Sequence, residues 1–241
     1  MKKLVAISVC LLSLGTIPVY AEMNAADKTE VQNIVREYLL DNPEMLIEMQ
    51  IALQKKEIAA QEAYLNTALD NIYANKDIPA IGNIDDPKLI LTEFMDYACG
   101  YCKLMWPDLL KLTKEHPELQ VKIVNIPILG HYSGQVAAYS TAFWQLYPEQ
   151  WEQFHNELMT AKSQLSDTAI ENLIKSLGGD WDKISKLAQE DAITSVISQN
   201  LDIADGANIQ GTPFYAVGKT DIYRGAVGYD TIKQSVEQQL K

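Results

Sequence analysis

The pattern of apolar positions divides the chain into a helical first part and a mixed helix–strand remainder. Between Asp27 and about Asn75 there is one proline and no glycine, and apolar residues recur at helical spacing. A break at Asp41–Glu44 predicts a first helix before it and a second from Pro43 to about Tyr73. The second helix carries an apolar stripe at seven-residue intervals, formed by Ile51, Ile58, Leu65 and Ile72.

A helix of this length has to bury such a stripe against another surface. That surface is either the main domain of the same chain or a second protomer. Gln54 and Gln61 also fall on the stripe, where they would either weaken the packing between two helices or fix its register. We expect residues 22–76 to be a helical segment that makes the protein a homo-oligomer, with packing on the main domain as the alternative.

The remainder has the pattern of an α/β domain over residues 77–241. After a turn-rich boundary at residues 76–87, strands are predicted at Leu89–Met95 and Leu119–Pro127, with a helix from about Cys102 to Glu115 between them. A strand, a helix and a strand of these lengths predict a parallel βαβ unit. Residues 133–207 predict an inserted subdomain of about four helices. Strands near residues 211–218 and 222–224 and a helix at residues 229–240 complete the domain.

The first 21 residues have the pattern of a secretory signal. Lys2 and Lys3 precede a short apolar run, and small residues lead to Ala21. The run is too short to span a bilayer stably. We therefore expect residues 1–21 to be a signal peptide cleaved after Ala21, and the mature protein to lie in a bacterial periplasm. An association with the outer membrane stays open.

The charge balance bears on the partners. The chain has 20 basic and 32 acidic residues, a net charge of −12. Removing Lys2 and Lys3 leaves 18 basic against 32 acidic residues, a net charge of −14. Because such a surface repels phosphate backbones, we expect no nucleic-acid partner.

Cys99 and Cys102 are the two cysteines left once Cys10 departs with the signal. As a structural disulfide they would enclose only two residues, and so small a loop restricts the unfolded chain very little. A structural zinc site needs four ligands, usually in close pairs, whereas His116, His131 and His155 are widely spaced. Transient binding of a thiophilic ion by the reduced pair stays open, but we expect no built metal site.

A redox couple fits both the spacing and the position of the pair. The strand delivers Cys99 to the start of a helix, where unpaired N–H groups and the helix dipole stabilise a thiolate. We expect Cys99 to be exposed and to attack a substrate, and Cys102, one turn further in, to resolve the mixed disulfide. The redox-active Cys99–Cys102 disulfide then replaces any separate cofactor.

The residues around the pair resemble the thioredoxin-like family, whose signature is C-x-x-C between a strand and a helix. Glu93 stands six residues before Cys99, where the family has a buried carboxylate. Pro107 stands eight residues after it, at the position of the helix proline, and Thr212-Pro213 matches the cis-proline loop. The helical insertion and the stretch Glu93–Cys102 are similar to the DsbA branch.

This resemblance implies a thioredoxin fold with an inserted helical subdomain, and it implies roles for six residues. Cys99, Cys102 and the proton relay Glu93 would be catalytic. Three residues would contact the substrate chain: Thr212, cis Pro213, and Tyr101 with its aromatic ring at the edge of the site.

Other features of the sequence resemble other relatives. The Cys-Gly-Tyr-Cys motif and the threonine before Pro213 resemble the isomerases DsbC and DsbG. The N-terminal helices resemble those of ScsC and of outer-membrane-antigen relatives.

Together these features predict an exported, oligomeric thiol:disulfide oxidoreductase, an isomerase or an oxidase. Its substrates would be unfolded or misoxidised envelope proteins, and its redox partner a membrane protein of DsbB or DsbD type. The alternative is an envelope chaperone or a copper- or zinc-binding thioredoxin-fold protein without significant disulfide exchange.

Overall fold

A computed structural model describes residues 23–241, so the predicted signal peptide lies outside the described residues. The described chain begins with helix α1 (Ala25–Asp41), capped by the side chain of Asn24 in a capping box with Asp27. Helix α2 (Met45–Ala74) follows. No residue of α1 is buried, and all its large apolar side chains except the half-buried Leu39 are exposed: Val31, Ile34, Val35, Tyr38 and Leu40.

The chain divides into two compact units, one ending at Lys55 and the other comprising Lys56–Lys241. The division falls inside α2. Leu65 and Ile72, in the second part of the helix, are buried in the core of the second unit, whereas Ile51 and Ile58 are exposed. The apolar stripe therefore packs on the chain's own domain at one end only. This unit begins well before the boundary that the turn-rich segment predicted.

Five strands form one sheet in the order β1-β3-β2-β4-β5. They are β1 (Ala80–Gly82), β2 (Leu89–Met95), β3 (Leu119–Asn125), β4 (Phe214–Val217) and β5 (Asp221–Arg224). β2 and β3 are parallel, as predicted, and the other neighbours are antiparallel. β1 was not predicted, because its three residues lie inside the turn-rich segment.

Helices cover both faces of the sheet. On one face, α3 (Gly100–Glu115) and α9 (Tyr229–Gln239) share a core with side chains such as Met95 and Ile123. On the other face, the end of α2 and helix α8 (Asp191–Gly206) pack on Phe94 and Val124. Phe94 and Met95 are neighbours in β2, and Ile123 and Val124 are neighbours in β3. Because neighbouring residues of a strand point to opposite faces, β2 and β3 are buried on both sides. The predicted α/β fold is confirmed.

The inserted subdomain contains five helices rather than the four expected. They are α4 (His131–Leu146), α5 (Pro148–Thr160), α6 (Asp167–Ser176), α7 (Trp181–Leu187) and α8. The unpredicted break separates α7 from α8, which begins after Glu190. Neither glycine nor proline occurs in residues 188–190, so no turn signal marks this boundary. Among residues 23–241, no helix is both long and apolar enough to cross a bilayer.

Candidate active site

The cysteine pair lies where β2 ends and α3 begins. Cys99 is the N-cap residue of α3, and its Sγ accepts a hydrogen bond from the backbone N–H of Cys102, at 3.4 Å. Cys102 is fully buried. Cys99, expected to be exposed, is also largely covered and retains 6% of its accessible surface. Only a small part of the Cys99 side chain is therefore open to a reaction partner.

Thr212 is the residue that brings the distant loop to Cys99. The peptide bond between Thr212 and Pro213 is cis, and the Thr212 carbonyl oxygen lies 3.2 Å from Cys99 Sγ. The structure thus joins residues 113 positions apart, as the resemblance implied. Tyr101, on the first turn of α3, is 65% exposed, so its ring is available to a bound chain.

Hydrogen bonds lower the pKa of Cys99 from 9.0 to about 5. The largest contribution is the hydrogen bond from the Cys102 side chain; burial opposes it, and the Thr212 side chain and the backbone N–H groups of α3 add to it. The carbonyl oxygen of Thr212 can only accept, so that contact belongs to the protonated thiol. Cys99 is consequently a thiolate at neutral pH, the form that attacks disulfides.

The pKa of Cys102 is shifted in the opposite direction. Burial raises its pKa strongly, and its hydrogen bond to Cys99 and the nearby carboxyl of Glu93 raise it further. Because the Cys102 thiol donates a hydrogen bond to the Cys99 sulfur, Cys102 stays protonated while Cys99 is charged. The two sulfurs therefore differ in the way that a nucleophile and a resolving thiol require.

Glu93 lies in β2 beneath the pair and is fully buried. The register of β2 and β4 places Tyr215 directly opposite, and the Tyr215 hydroxyl donates to Glu93 Oε1 at 3.2 Å. In the described part of the chain, Glu93 Oε2 has no partner. Burial raises the pKa of Glu93 to about 8, against a smaller lowering by Tyr215. Glu93 is thus protonated and uncharged at pH 7, and it ionises at a pH only slightly higher.

Glu93→Gln should stabilise the protein at alkaline pH. A carboxyl with a raised pKa contributes stability below pH 4.5 and loses it as the pH rises through about 8. Glutamine keeps an acceptor for Tyr215 and cannot ionise, so the free energy of unfolding of oxidised protein should exceed wild type by roughly 2–5 kcal/mol at pH 9. Denaturant melts at pH 4.5 and pH 9 measure this. Exposed Glu57→Gln is the control, and an equal difference at both pH values contradicts the account.

Asp96 is a site residue that sequence reasoning missed. It is buried, and its carboxylate accepts from the backbone N–H of Ala98 at 2.7 Å and of Leu129 at 2.9 Å. Its own carbonyl accepts from the N–H of Cys99 at 2.9 Å. Asp96 therefore fixes the turn before Cys99 and ties it to the segment after β3. Its place at a strand end, ahead of the cysteine motif, was the available signal.

A buried polar cluster beside the pair was also missed. The Tyr97 hydroxyl lies 2.6 Å from Ser140 Oγ and 2.7 Å from His155 Nδ1, which links the active-site turn to α4 and α5. The ring of His155 packs between Trp106 and Trp151, with ring centroids 4.4 and 4.5 Å away. Burial lowers the pKa of His155 to about 3, so it is neutral. These residues come from three helices and the β2–α3 turn, so no local pattern reveals them.

A metal centre does not form from the side chains that the structure describes. Within residues 23–241, no three His, Cys, Asp or Glu side chains are grouped closely enough to hold an ion. His131 lies exposed at the start of α4 and His155 lies inside the aromatic cluster.

Known proteins share both parts of this architecture. The DSBA-like thioredoxin domain model matches residues 90–237, and the model of the copper resistance protein ScsC N-terminal domain matches residues 27–60. Disulfide bond formation protein D of Bacillus subtilis (strain 168) is 26% identical over 189 residues, which is 73% of this chain and 83% of that protein.

Two solved structures extend the comparison. A crystal structure of Proteus mirabilis ScsC in a transitional conformation is 34% identical, with a TM-score of 0.67, over 90% of this chain and 97% of that one. A periplasmic thioredoxin-like protein from Salmonella enterica serovar Typhimurium is 29% identical, with a TM-score of 0.64, over 70% and 93%. The chain belongs to the DsbA-like thioredoxin-fold family of thiol:disulfide oxidoreductases and is ScsC-like.

Proposed function

We propose that this oxidoreductase is exported to the periplasm and works there as an oligomeric disulfide isomerase that can also oxidise dithiols. Its substrates are the cysteines of unfolded or misoxidised envelope proteins. The observation that supports this most directly is the Cys99 thiolate, stabilised at the start of α3 beside a protonated Cys102. A thiolate with a low pKa is both available for attack and a good leaving group.

The chemistry of isomerisation starts from the reduced pair. Cys99 Sγ attacks one sulfur of a wrong substrate disulfide; a Cys99–substrate disulfide forms, the old bond breaks, and the other substrate sulfur leaves as a thiolate. A different substrate thiolate then attacks the mixed disulfide and releases Cys99 again as a thiolate. No electrons are gained or lost overall, and the substrate keeps a disulfide between new partners.

Cys102 ends the mixed disulfide when no substrate thiol does so. Its thiol loses a proton and attacks Cys99 Sγ; the Cys99–Cys102 bond forms and the substrate leaves reduced. With a pKa near 8, Glu93 is mostly protonated at pH 7; its ionised form, whose share grows as the pH approaches 8, is the form that can accept that proton. Thr212 and Pro213 hold the substrate backbone beside the sulfurs, and Tyr101 adds an exposed ring. Run in reverse from the disulfide form, the same steps oxidise a substrate dithiol.

The low pKa also favours the oxidising direction. The pKa of Cys99 falls from 9.0 to about 5. At pH 7 an ordinary thiol is protonated, so the roughly two units between the pKa of Cys99 and pH 7 stabilise the reduced form, and at about 30 mV for each unit the couple is ~60 mV more oxidising than one with an ordinary thiol. A membrane redox partner of DsbB or DsbD type would restore the form that each activity needs. The disulfide itself is the redox group, with no separate cofactor and no nucleic-acid partner.

Oligomerisation is supported by the uncovered apolar residues of the first unit. Val31, Ile34, Val35 and Tyr38 in α1 and Leu46, Ile47 and Ile51 in α2 are exposed. A set of this size is unusual on a monomer and marks an association surface. Joined protomers would present several cysteine pairs to one misfolded chain.

Deleting residues 23–55 tests this proposal. The remaining unit keeps the buried end of α2, so we expect it to fold as a monomer, to oxidise a reduced peptide at the wild-type rate and to lose most of its activity in refolding a scrambled disulfide substrate. Ile34→Asp should act in the same direction, with exposed Asn33→Asp as the matched control. A truncated protein that remains oligomeric, or an unchanged isomerase rate, contradicts the proposal.

A further inference from the structure

A groove of about 810 Å³ opens beside the Thr212 loop, away from α9. One wall is formed by α2, with Ile58 and Glu62, and the other by β5, with Ile222 and Arg224. Thr212 lies at the groove's edge and also contacts Cys99 through its carbonyl oxygen. The groove is therefore continuous with the candidate active site.

The β5 wall of the groove is a free strand edge. β5 is outermost in the sheet order, paired with β4 alone among the described strands. Gly225 N–H donates to the Pro213 carbonyl, which fixes the alternation of the antiparallel pair. By that alternation, the backbone groups of Ile222 and Arg224 point away from β4, and both residues line the groove. Elsewhere in residues 23–241, these groups form no hydrogen bond to a side chain or to a loop.

We propose that this groove binds a segment of the substrate polypeptide as an added β-strand along the outer edge of β5, on one side of the cysteine that Cys99 attacks. The inference rests on the proposed function, since it assigns how that site holds its substrate. Strand addition to a free edge gives main-chain hydrogen bonds that do not depend on sequence, which suits an enzyme for many unfolded chains.

The geometry sets the position of the recognised segment. A chain that lies over Thr212, at the start of β4, must move sideways past β5 to form a new outer strand. Two strand spacings of about 4.8 Å make roughly 10 Å, and an extended residue covers about 3.3 Å. The added strand therefore begins about three residues from the substrate cysteine.

The chemistry of the walls defines the substrate class. Ile58 and Ile222 supply accessible apolar surface beside the buried side chains of Leu65 and Phe214, so apolar, strand-forming side chains are preferred on that side. The added strand must donate N–H groups to the edge, which excludes proline there. Arg224 is held at the groove by its bond to the Asn208 carbonyl and lies over the Phe214 ring.

Binding of a probe peptide to the full chain tests the proposal without any thiol chemistry. The probe is a twelve-residue peptide with serine in place of its cysteine and a Val-Thr-Val-Thr segment starting three residues away. A second probe carries the same side chains with N-methylated amides. The measurements are the dissociation constant by fluorescence anisotropy and the hydrogen exchange of the amides of Ile222 and Arg224.

We expect the first probe to protect both amides and the N-methylated probe to bind at least tenfold more weakly. Glu62→Trp, which fills the groove, should weaken the first probe about tenfold, whereas Glu57→Trp, on the same helix but outside the groove, should not. Equal affinity for the two probes overturns the proposal. So does protection of both amides without peptide that grows with protein concentration, because a second copy of the chain then occupies the edge.

Loss of the proposed function would be seen separately. Exchange of wild-type Cys99 with glutathione reports the thiol chemistry and should be unchanged in Glu62→Trp. If wild type binds the probe but does not exchange with glutathione, the proposed function fails while the groove assignment stands. Normal exchange without probe binding overturns the groove assignment alone.

Discussion

Cys99→Ser is expected to reduce thiol–disulfide exchange to the uncatalysed rate. Serine keeps the size and the N-cap position at the start of α3, so the fold should be retained. However, a serine oxygen cannot form a disulfide with the substrate, and Cys102 is fully buried with a strongly raised pKa, so it cannot take over the attack. Reduction of a disulfide-linked model protein and oxidation of a dithiol peptide both measure the loss.

The test needs two controls. The chain should begin at Glu22, so that Cys10 contributes no thiol. Unfolding of the variant and of oxidised wild type should show that the fold survives. Substantial residual exchange in Cys99→Ser would show that another sulfur is the nucleophile, and the assignment of Cys99 would be wrong.

Cys102→Ser is expected to lose the step that resolves the mixed disulfide and therefore to accumulate that intermediate. The serine hydroxyl can still donate to the Cys99 sulfur, so its thiolate persists and the rate of attack should stay within about one order of magnitude, or about 1.4 kcal/mol. Without a resolving sulfur, only another thiol, either of the substrate itself or from solution, can release the substrate. Non-reducing electrophoresis after mixing with an unfolded, disulfide-containing protein measures the trapped complex.

The double variant Cys99→Ser/Cys102→Ser is the matched control and should trap nothing. Added glutathione should release the complex formed by Cys102→Ser. If that variant turns over at the wild-type rate without added thiol, then Cys102 does not resolve the intermediate.

The central strands and the cysteine turn were predictable because their signals are local. Leu89–Met95 is a short apolar run with no breaker, and the strand has those bounds in the structure. The helix after the cysteine turn was predicted from about Cys102, and it begins two residues earlier, at Gly100, with Cys99 as its N-cap. The assignment of Thr212 and Pro213 to the site came from a family resemblance, since no local rule brings together residues so far apart.

The parts that sequence reasoning missed depend on tertiary packing. The coverage of Cys99 comes from the distant Thr212 loop, so exposure could not be judged from its place at a helix start. Tyr215 meets Glu93 only through the register of β2 and β4. The seven-residue stripe of α2 looked uniform, yet Leu65 is buried in the second unit and Ile51 is exposed. Periodicity identifies an apolar face but not the surface that covers it.

The central claim is that Cys99 is ionised at neutral pH because Cys102 and the first turn of α3 donate hydrogen bonds to it. A titration of the ultraviolet absorbance of the thiolate in the reduced protein tests it most directly, with oxidised protein as the blank. We predict a midpoint of about 5 in wild type, a similarly low value in Cys102→Ser and a clear rise towards 9.0 in Cys102→Ala, which has no donor. A wild-type midpoint near 9.0 would contradict the account.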